Sequence, residues 1–377
     1  MLDMLKAAGA NIVEFDEKAD IYIVNTCSVT NIADKKSRQM LHRARKMNPD
    51  GIVIAAGCYV QSAREILEQD EAIDIVISNN KKKSITEIVN DYINVRNNEK
   101  NAPGKDHEAM EYFVDISRET EYEEMGGHVP VGHTRAYVKI QDGCNQFCSY
   151  CIIPYVRGRI RSRSQEAILA EVSELAEAGI KEVVLTGIHI SSYGKDKNNE
   201  GALIELIEAI SKIKGIKRIR LGSLEPGIIT EEFVERISSN SKVCPHFHLS
   251  LQSGCDSVLK RMNRKYTCEQ YFEKCDMLRK AYKSPALTTD VIVGFPGETE
   301  EEFAETVRYL TELNLYEMHI FKYSPRKGTV AAAMKEQVAP EIKNERSDVL
   351  LKLAHDNKTA YEPSLRAVSL KSWWKRL

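Results

Sequence analysis

Residues 142–164 read DGCNQFCSYCIIPYVRGRIRSRS and directly follow the strand-like run RAYVKIQ. Cys144, Cys148 and Cys151 therefore sit on the carboxyl side of a strand, spaced C-x3-C-x2-C. Further strand-like runs follow: KEVVLTG, IKRIRLGS, HFHLSLQ, LTTDVIVGF and YEMHIFKY. Helical stretches such as SQEAILAEVSELAEAG, ALIELIEAISKI and TEEEFAETVRYLTEL separate them. Six such βα units predict a partial or full parallel barrel, whose chemistry belongs at the carboxyl ends of its strands. The cysteine loop lies at that mouth.

Upstream, NIVEF, ADIYIVNTC, GIVIAAGC and AIDIVIS alternate with the helical segments ADKKSRQMLHRARKM and AREILEQ. Short β-branched runs joined by helices of that length predict an open parallel sheet, an N-terminal Rossmann-like α/β domain over residues 1–93. The opening MLDMLKAAGA reads as a helix that returns from a preceding strand, and the chain as given contains no such first strand. Residues 94–132 are polar and mixed in charge, a linker with one short strand at EYFVDI. The barrel domain spans 133–356, and the closing residues 357–377, NKTAYEPSLRAVSLKSWWKRL, have no strand alternation.

The chain has 377 residues, is 42% hydrophobic and carries a formal charge of −2, so nucleic-acid binding has to come from a local basic patch. No apolar run approaches membrane-spanning length and no secretory signal opens the chain, which predicts a cytoplasmic protein. Nine cysteines in that setting read as metal ligands or small core residues rather than a disulfide framework.

Three thiolates on one loop can wrap one face of a compact cluster and leave one coordination position open, whereas a closed structural zinc site takes four ligands. A zinc site completed by a distant residue is the alternative. Cys27 and Cys58 each end a predicted parallel strand, so one strand-helix-strand step brings both to the same carboxyl edge, where open α/β sheets bind ligands. Inert buried thiols are the alternative there. Arg157, Arg159, Arg161 and Arg163 alternate; if extended, they line one face at about 6 to 7 Å intervals, suited to following phosphates. His246 and His248 share one side of a strand, but a pair without a third ligand reads as packing or hydrogen bonding. Cys244, Cys255, Cys268 and Cys275 read as small buried residues.

The cysteine spacing, with Tyr150 before the last cysteine, resembles the radical S-adenosylmethionine signature. Together with VVLTGIHISSYG, SLEP, HLSLQSG, MNRKYT, DVIVGFPGET and FKYSPRKGT it resembles the methylthiotransferase family over residues 1–355. It is most similar to the branch that converts threonylcarbamoyladenosine beside the tRNA anticodon to its 2-methylthio derivative. The resemblance implies a radical S-adenosylmethionine partial (β/α)6 barrel in which Cys144, Cys148 and Cys151 hold a [4Fe-4S] cluster whose open iron binds S-adenosylmethionine. It also implies an auxiliary [4Fe-4S] cluster, with Cys27 and Cys58 matching its second and third ligands and the first absent from this chain.

Tyr150, Thr186, Gly187, Ile188, Ser223, Glu225, Gln252 and Gly294 are implied contacts to cofactor or substrate. The implied partners are tRNA and a low-potential electron donor, without a membrane. The implied reaction delivers a methyl group to sulfur at the auxiliary cluster, then uses a 5′-deoxyadenosyl radical to activate C2 of the adenine; it assigns no side chain as catalytic acid or base. The family's tRNA-binding TRAM domain is not expected in residues 357–377. Three other readings stand beside this one. They are methylthiolation of isopentenyladenosine in tRNA or of a ribosomal protein, a truncated copy inactive in sulfur insertion, and a zinc-bound RNA-binding module.

Overall fold

The computed structural model describes residues 1–99, 110–127 and 133–367. They form two compact units: residues 1–99, 110–127, 142–146 and 151–163 in the first, and 133–141, 147–150 and 164–367 in the second.

The first unit is built on β1 (Ile21–Thr26), β2 (Ile52–Gly57), β3 (Ile75–Ile77) and β4 (Met110–Tyr112), paired in that order and all parallel. Every residue of β2 is buried because both of its faces are covered. Val53 and Ala55 pack with Leu41, Ala44 and Leu67 on one side, while Ile52, Ile54 and Ala56 meet Ile85, Ile88 and Val89 on the other. Full burial of each of these branched side chains contributes about 1.5 to 3 kcal/mol. The helix Asn31–Met47 starts where the Thr30 hydroxyl accepts from the Ala33 amide at 3.1 Å.

This unit departs from the sequence expectations at three places. NIVEF forms no strand; Ile12 and Val13 are exposed. The helix Ile85–Glu99 runs past residue 93. The segment read as a linker supplies β4, which overlaps the short strand expected at EYFVDI; β4 pairs with β3, so part of that segment belongs to the sheet rather than to a linker. The remaining linker residues 100–109 and 128–132 lie outside the described residues.

The chain continues through β5 (Arg135–Asp142), the two-residue β6 (Arg161–Ser162), β7 (Glu182–Gly187), β8 (Arg218–Leu221), β9 (His246–His248), β10 (Ala286–Val293) and β11 (Glu317–Lys322). In the second unit β5, β7 and β8 form one parallel ladder and β9, β10 and β11 another. Parallel bridges at Ile219–Val243 and Leu224–Leu249 join the ladders into one curled sheet, a half-barrel of the six expected strands. Helices including Gln165–Glu177, Ala202–Ser211, Cys268–Ala281 and Glu300–Leu313 cover its outer face, where Val183, Leu185, Phe247, Leu249, Leu287 and Val291 form the core. By the two-residue strand period the alternate residues, among them Arg220, His246, His248, Thr288, Asp290 and His319, face the interior.

The helix Pro340–Ala367 crosses residue 356, so the expected boundary of the tail falls inside a helix; residues 368–377 lie outside the described residues. Among the described residues, no helix is long and apolar enough to cross a membrane.

Candidate functional site

The loop after β5 is tightly specified on both sides of its cysteines. Gly143 adopts φ +72°, and a Cβ there would lie 1.8 Å from the Arg159 carbonyl oxygen, so glycine is required. The Cys144 amide donates to the Gly158 carbonyl at 3.0 Å, and the Gln146 amide donates to the Cys144 Sγ at 3.5 Å. Within the second unit, Asn263 Nδ2 holds the carbonyl of Phe147, which has φ +49°, at 3.0 Å. Ser149 donates its amide to the Met262 carbonyl at 3.0 Å and its hydroxyl to the Arg261 carbonyl at 2.8 Å. Tyr150 packs with Cys255, Val258, Met262, Phe295 and Tyr323. Arg264 Nη1 donates to Cys148 Sγ at 3.3 Å, so that sulfur has a charged donor beside it.

The expected cofactor residues of the second unit gather at the carboxyl ends of its strands. Gly187 ends β7 with Thr186 and Ile188 beside it, and a Cβ on Gly187 would lie 2.8 Å from the Gln141 carbonyl oxygen. Gln141 is buried and its Oε1 accepts from the His189 amide at 2.8 Å. Glu225 follows β8 and receives Arg264 Nη2 at 3.0 Å and His189 Nε2 at 3.4 Å. Burial alone would raise the Glu225 carboxyl, but the His189 hydrogen bond and the Arg264 charge outweigh it and hold the pKa below its ordinary value. Ser223 is exposed on the same loop. Gln252 takes φ +76°, and its amide donates to the Asp290 carbonyl at 2.9 Å. The Gly294 amide, at φ +68°, donates to Glu298 Oε2 at 2.7 Å, which Arg346 also holds at 2.7 Å.

Sequence reasoning missed Gln141, His189 and Arg264. All three lie inside motif stretches, RAYVKIQ, VVLTGIHISSYG and MNRKYT, whose local pattern gives no sign of which side chain meets which.

In the first unit the parallel register pairs Thr26 with Gly57, so Cys27 and Cys58 occupy the next matched positions at the carboxyl edge. This is the juxtaposition expected from the sequence. Gly57, at φ +107°, would place a Cβ 2.5 Å from the Thr26 carbonyl oxygen. Cys27 is exposed and Cys58 buried; Arg157 Nε donates to Cys58 Sγ at 3.0 Å and Arg157 Nη1 to Asp142 Oδ2 at 3.3 Å.

That contact corrects the arginine stripe. Arg157 ends the helix Ile153–Arg157, Gly158 breaks the chain at φ +69°, and Arg161 and Arg163 are 1% and 5% exposed. Arg163 pairs with Glu124 at 2.5 Å. The segment is not extended, so the four do not share an exposed face; Arg159 alone of them is exposed. Of the remaining thiols Cys244, Cys255 and Cys275 are buried, as expected, and Cys268 is half-buried. Burial pushes all four up, Cys275 to about 12.

Comparison with known proteins agrees with both units. The Radical SAM superfamily model matches residues 138–310, and the model described as Uncharacterized protein family UPF0004 matches residues 1–78. The chain is 40% identical over 351 residues to the threonylcarbamoyladenosine tRNA methylthiotransferase MtaB of Bacillus subtilis (strain 168), covering 93% of this chain and 75% of that protein. It is 37% identical over 370 residues to the tRNA-2-methylthio-N(6)-dimethylallyladenosine synthase of Thermoanaerobacter pseudethanolicus, covering 96% and 75%. Among solved structures, the radical S-adenosylmethionine methyltransferase TsrM of Kitasatospora setae superimposes with a TM-score of 0.59 at 16% identity, over 82% of this chain and 66% of that one, a likeness of fold.

Proposed function

Because the chain belongs to the radical S-adenosylmethionine tRNA methylthiotransferases, we infer that its substrate is a tRNA adenosine carrying the threonylcarbamoyl group, which it methylthiolates. The observation that carries the substrate reading is the 40% identity, over 93% of this chain, to a relative named for threonylcarbamoyladenosine in tRNA; the radical chemistry is supported by the three-cysteine loop on the carboxyl side of β5, with Arg264 donating to Cys148. The C-x3-C-x2-C spacing suits a cluster held by three thiolates, and we assign Cys144, Cys148 and Cys151 to the [4Fe-4S] cluster. That cluster with S-adenosylmethionine supplies one-electron reductive cleavage of the sulfonium bond.

The chain's own residues position and shield. Gly187 lets backbone approach the cofactor, and Glu225, fixed by Arg264 and His189, presents an ionised carboxylate suited to an amino or hydroxyl group. We assign Thr186, Ile188, Ser223, Gln252, Gly294 and Tyr150 to the same cofactor and substrate surroundings. Cys27 and Cys58 suit two ligands of an auxiliary cluster, where Arg157 donates to one sulfur. Arg159 is our candidate for tRNA phosphate contact. A low-potential electron donor completes the chemistry, and a tRNA substrate argues for the cytoplasm.

Two measurements test the reading. After anaerobic reconstitution, iron and sulfide are counted in the chain and in the Cys144→Ala, Cys148→Ala, Cys151→Ala triple variant. About eight irons falling to about four supports both clusters; about four falling to none leaves only the radical-generating half. Nucleoside profiling of tRNA modified by the chain then separates the substrates. Relatives of both names share 37% identity with this chain, so the modified nucleoside decides between them: a 2-methylthio product on isopentenyladenosine alone would overturn the threonylcarbamoyl assignment.

A further inference from the structure

His248, Asp290 and His319 stand on three neighbouring strands of the half-barrel. The register places His248 opposite Thr288 and Asp290 opposite His319, so β9, β10 and β11 each present one ligand on the interior face. One ligand atom from each lies within 4.8 Å of the other two.

Two details make this more than three polar neighbours. His248 Nδ1 sits 3.0 Å from the hydroxyl of Thr288, itself buried, which orients the ring. With Nδ1–H donating to that hydroxyl, the Nε2 lone pair faces the interior, the arrangement that metal-binding histidines use. His248 Nε2 is enclosed and makes no hydrogen bond. The atom before it is Asp290 Oδ2 at 3.3 Å, close enough for ionic attraction but not aligned to share a proton. Two donors of a tetrahedral site at about 2.0 to 2.1 Å from the ion stand about 3.3 to 3.4 Å apart. The observed separation fits a shared ion.

We propose that His248, Asp290 and His319 bind one divalent transition-metal ion of the zinc type in the interior of the half-barrel. Two imidazoles and a carboxylate are a donor set that such ions accept, and three protein ligands leave a position open. His319 is the exposed member, free to close the last ångström by rotation, and its ring already stacks beside that of His248 with centroids 5.8 Å apart. The neighbouring cation Arg220 is paired with Glu182 at 2.8 Å. His246, on the same face of β9, is not part of the group. None of the three ligands belongs to the cysteine loop, and the proposal does not depend on the substrate inferred above.

The test uses the full chain with its iron reconstituted, dialysed anaerobically against micromolar Zn2+. Zinc and iron per chain are measured for the wild type, His248→Ala, His319→Ala, Asp290→Asn and, as control, His246→Ala. We expect one zinc in the wild type and the control, affinity at least about 10-fold weaker in the other three, and unchanged iron throughout. Zinc K-edge absorption should show only nitrogen and oxygen neighbours at about 2.0 to 2.1 Å. Asp290→Asn preserves shape and decides the matter if a histidine variant also loses iron. Absence of stoichiometric zinc in the wild type, equal zinc in Asp290→Asn, or sulfur in the zinc shell would overturn the proposal.

Discussion

Replacing Gly143 by alanine probes how the cysteine loop is held. The new Cβ would stand 1.8 Å from the Arg159 carbonyl oxygen and 2.8 Å from that of Gly158, and ordinary contact begins near 3.4 Å, so a retreat of about 1.6 Å is needed. That retreat is obstructed. Gly158 itself lies against the Ile116 carbonyl, where a Cβ on it would be at 2.2 Å, and the Gly158 carbonyl holds the Cys144 amide at 3.0 Å. The loop carrying Cys144 has to give instead. A left-handed conformation for a residue with a Cβ costs about 1 kcal/mol. The lost Cys144 hydrogen bond adds about 1 kcal/mol, and the remaining displacement about 1 to 3 kcal/mol.

Gly179→Ala separates these terms, because Gly179 has φ +92° with nothing within 4 Å of its would-be Cβ and incurs only the conformational cost. Metal–sulfur distances tolerate about 0.2 Å, so a displacement on the order of 1 Å at Cys144 should empty the cluster. Iron and sulfide after anaerobic reconstitution, with urea unfolding of both variants, provide the assay. The expected result is loss of about four irons in Gly143→Ala and none in Gly179→Ala, with the first also the less stable by about 2 to 4 kcal/mol. If Gly143→Ala held its iron and unfolded alongside Gly179→Ala, the argument from the Arg159 carbonyl would be wrong.

Three further outcomes can be checked. Arg264→Met or Glu225→Gln alone should destabilise by about 3 to 5 kcal/mol by orphaning a buried charge, while the double variant should cost well under the sum; additive losses in urea unfolding would show that the pair is not coupled. The Glu302 carboxyl, hydrogen-bonded by Arg261 at 2.5 Å, is lowered from 4.5 to about 2, so its stabilisation is complete above pH 4.5 and fades as pH falls towards 2. Glu302→Gln should accordingly be less stable than the wild type at pH 6, with the gap narrowing below pH 4.5; a gap independent of pH would refute the assignment. Arg159→Ala should weaken tRNA binding and reduce the log–log salt slope by about 1 while leaving iron unchanged, and an unaltered slope would remove Arg159 from the phosphate surface.

What could be read beforehand was what is local along the chain. The six barrel strands, the three-cysteine loop and the matched strand ends at Cys27 and Cys58 depend on short apolar runs and on ligand spacing, and the register Thr26–Gly57 agrees with them. The arginine stripe failed because period-two reasoning holds only for an extended chain. Pro154 opens a helical turn and Gly158 takes a left-handed φ, so the alternation in RGRIRSR carries no facial meaning. β4 was half legible: a short strand was expected at EYFVDI and β4 overlaps its first two residues, but three residues in polar surroundings carry too little pattern to reveal that the strand joins the sheet, which only the pairing with β3 defines.

The interior of the half-barrel shows why this limit is physical. His248, Asp290 and His319 are far apart in sequence, and each alone is an ordinary polar residue on an alternating strand. Their meeting depends on register across two ladders, and register is set by how the apolar faces of β9, β10 and β11 pack on the outer helices, not by anything the three residues share. A shift of one residue in either ladder would send one ligand into the core and leave only two of the three together. Arg157 makes the same point in the first unit. Its charge reads in sequence as an outward phosphate contact, yet the fold turns it onto Cys58 and Asp142, where the guanidinium donates to a sulfur and a carboxylate at the sheet edge assigned to the auxiliary cluster. Basic residues beside a sulfur-rich edge thus have two competing uses, and the backbone break at Gly158 determines which of them each arginine serves.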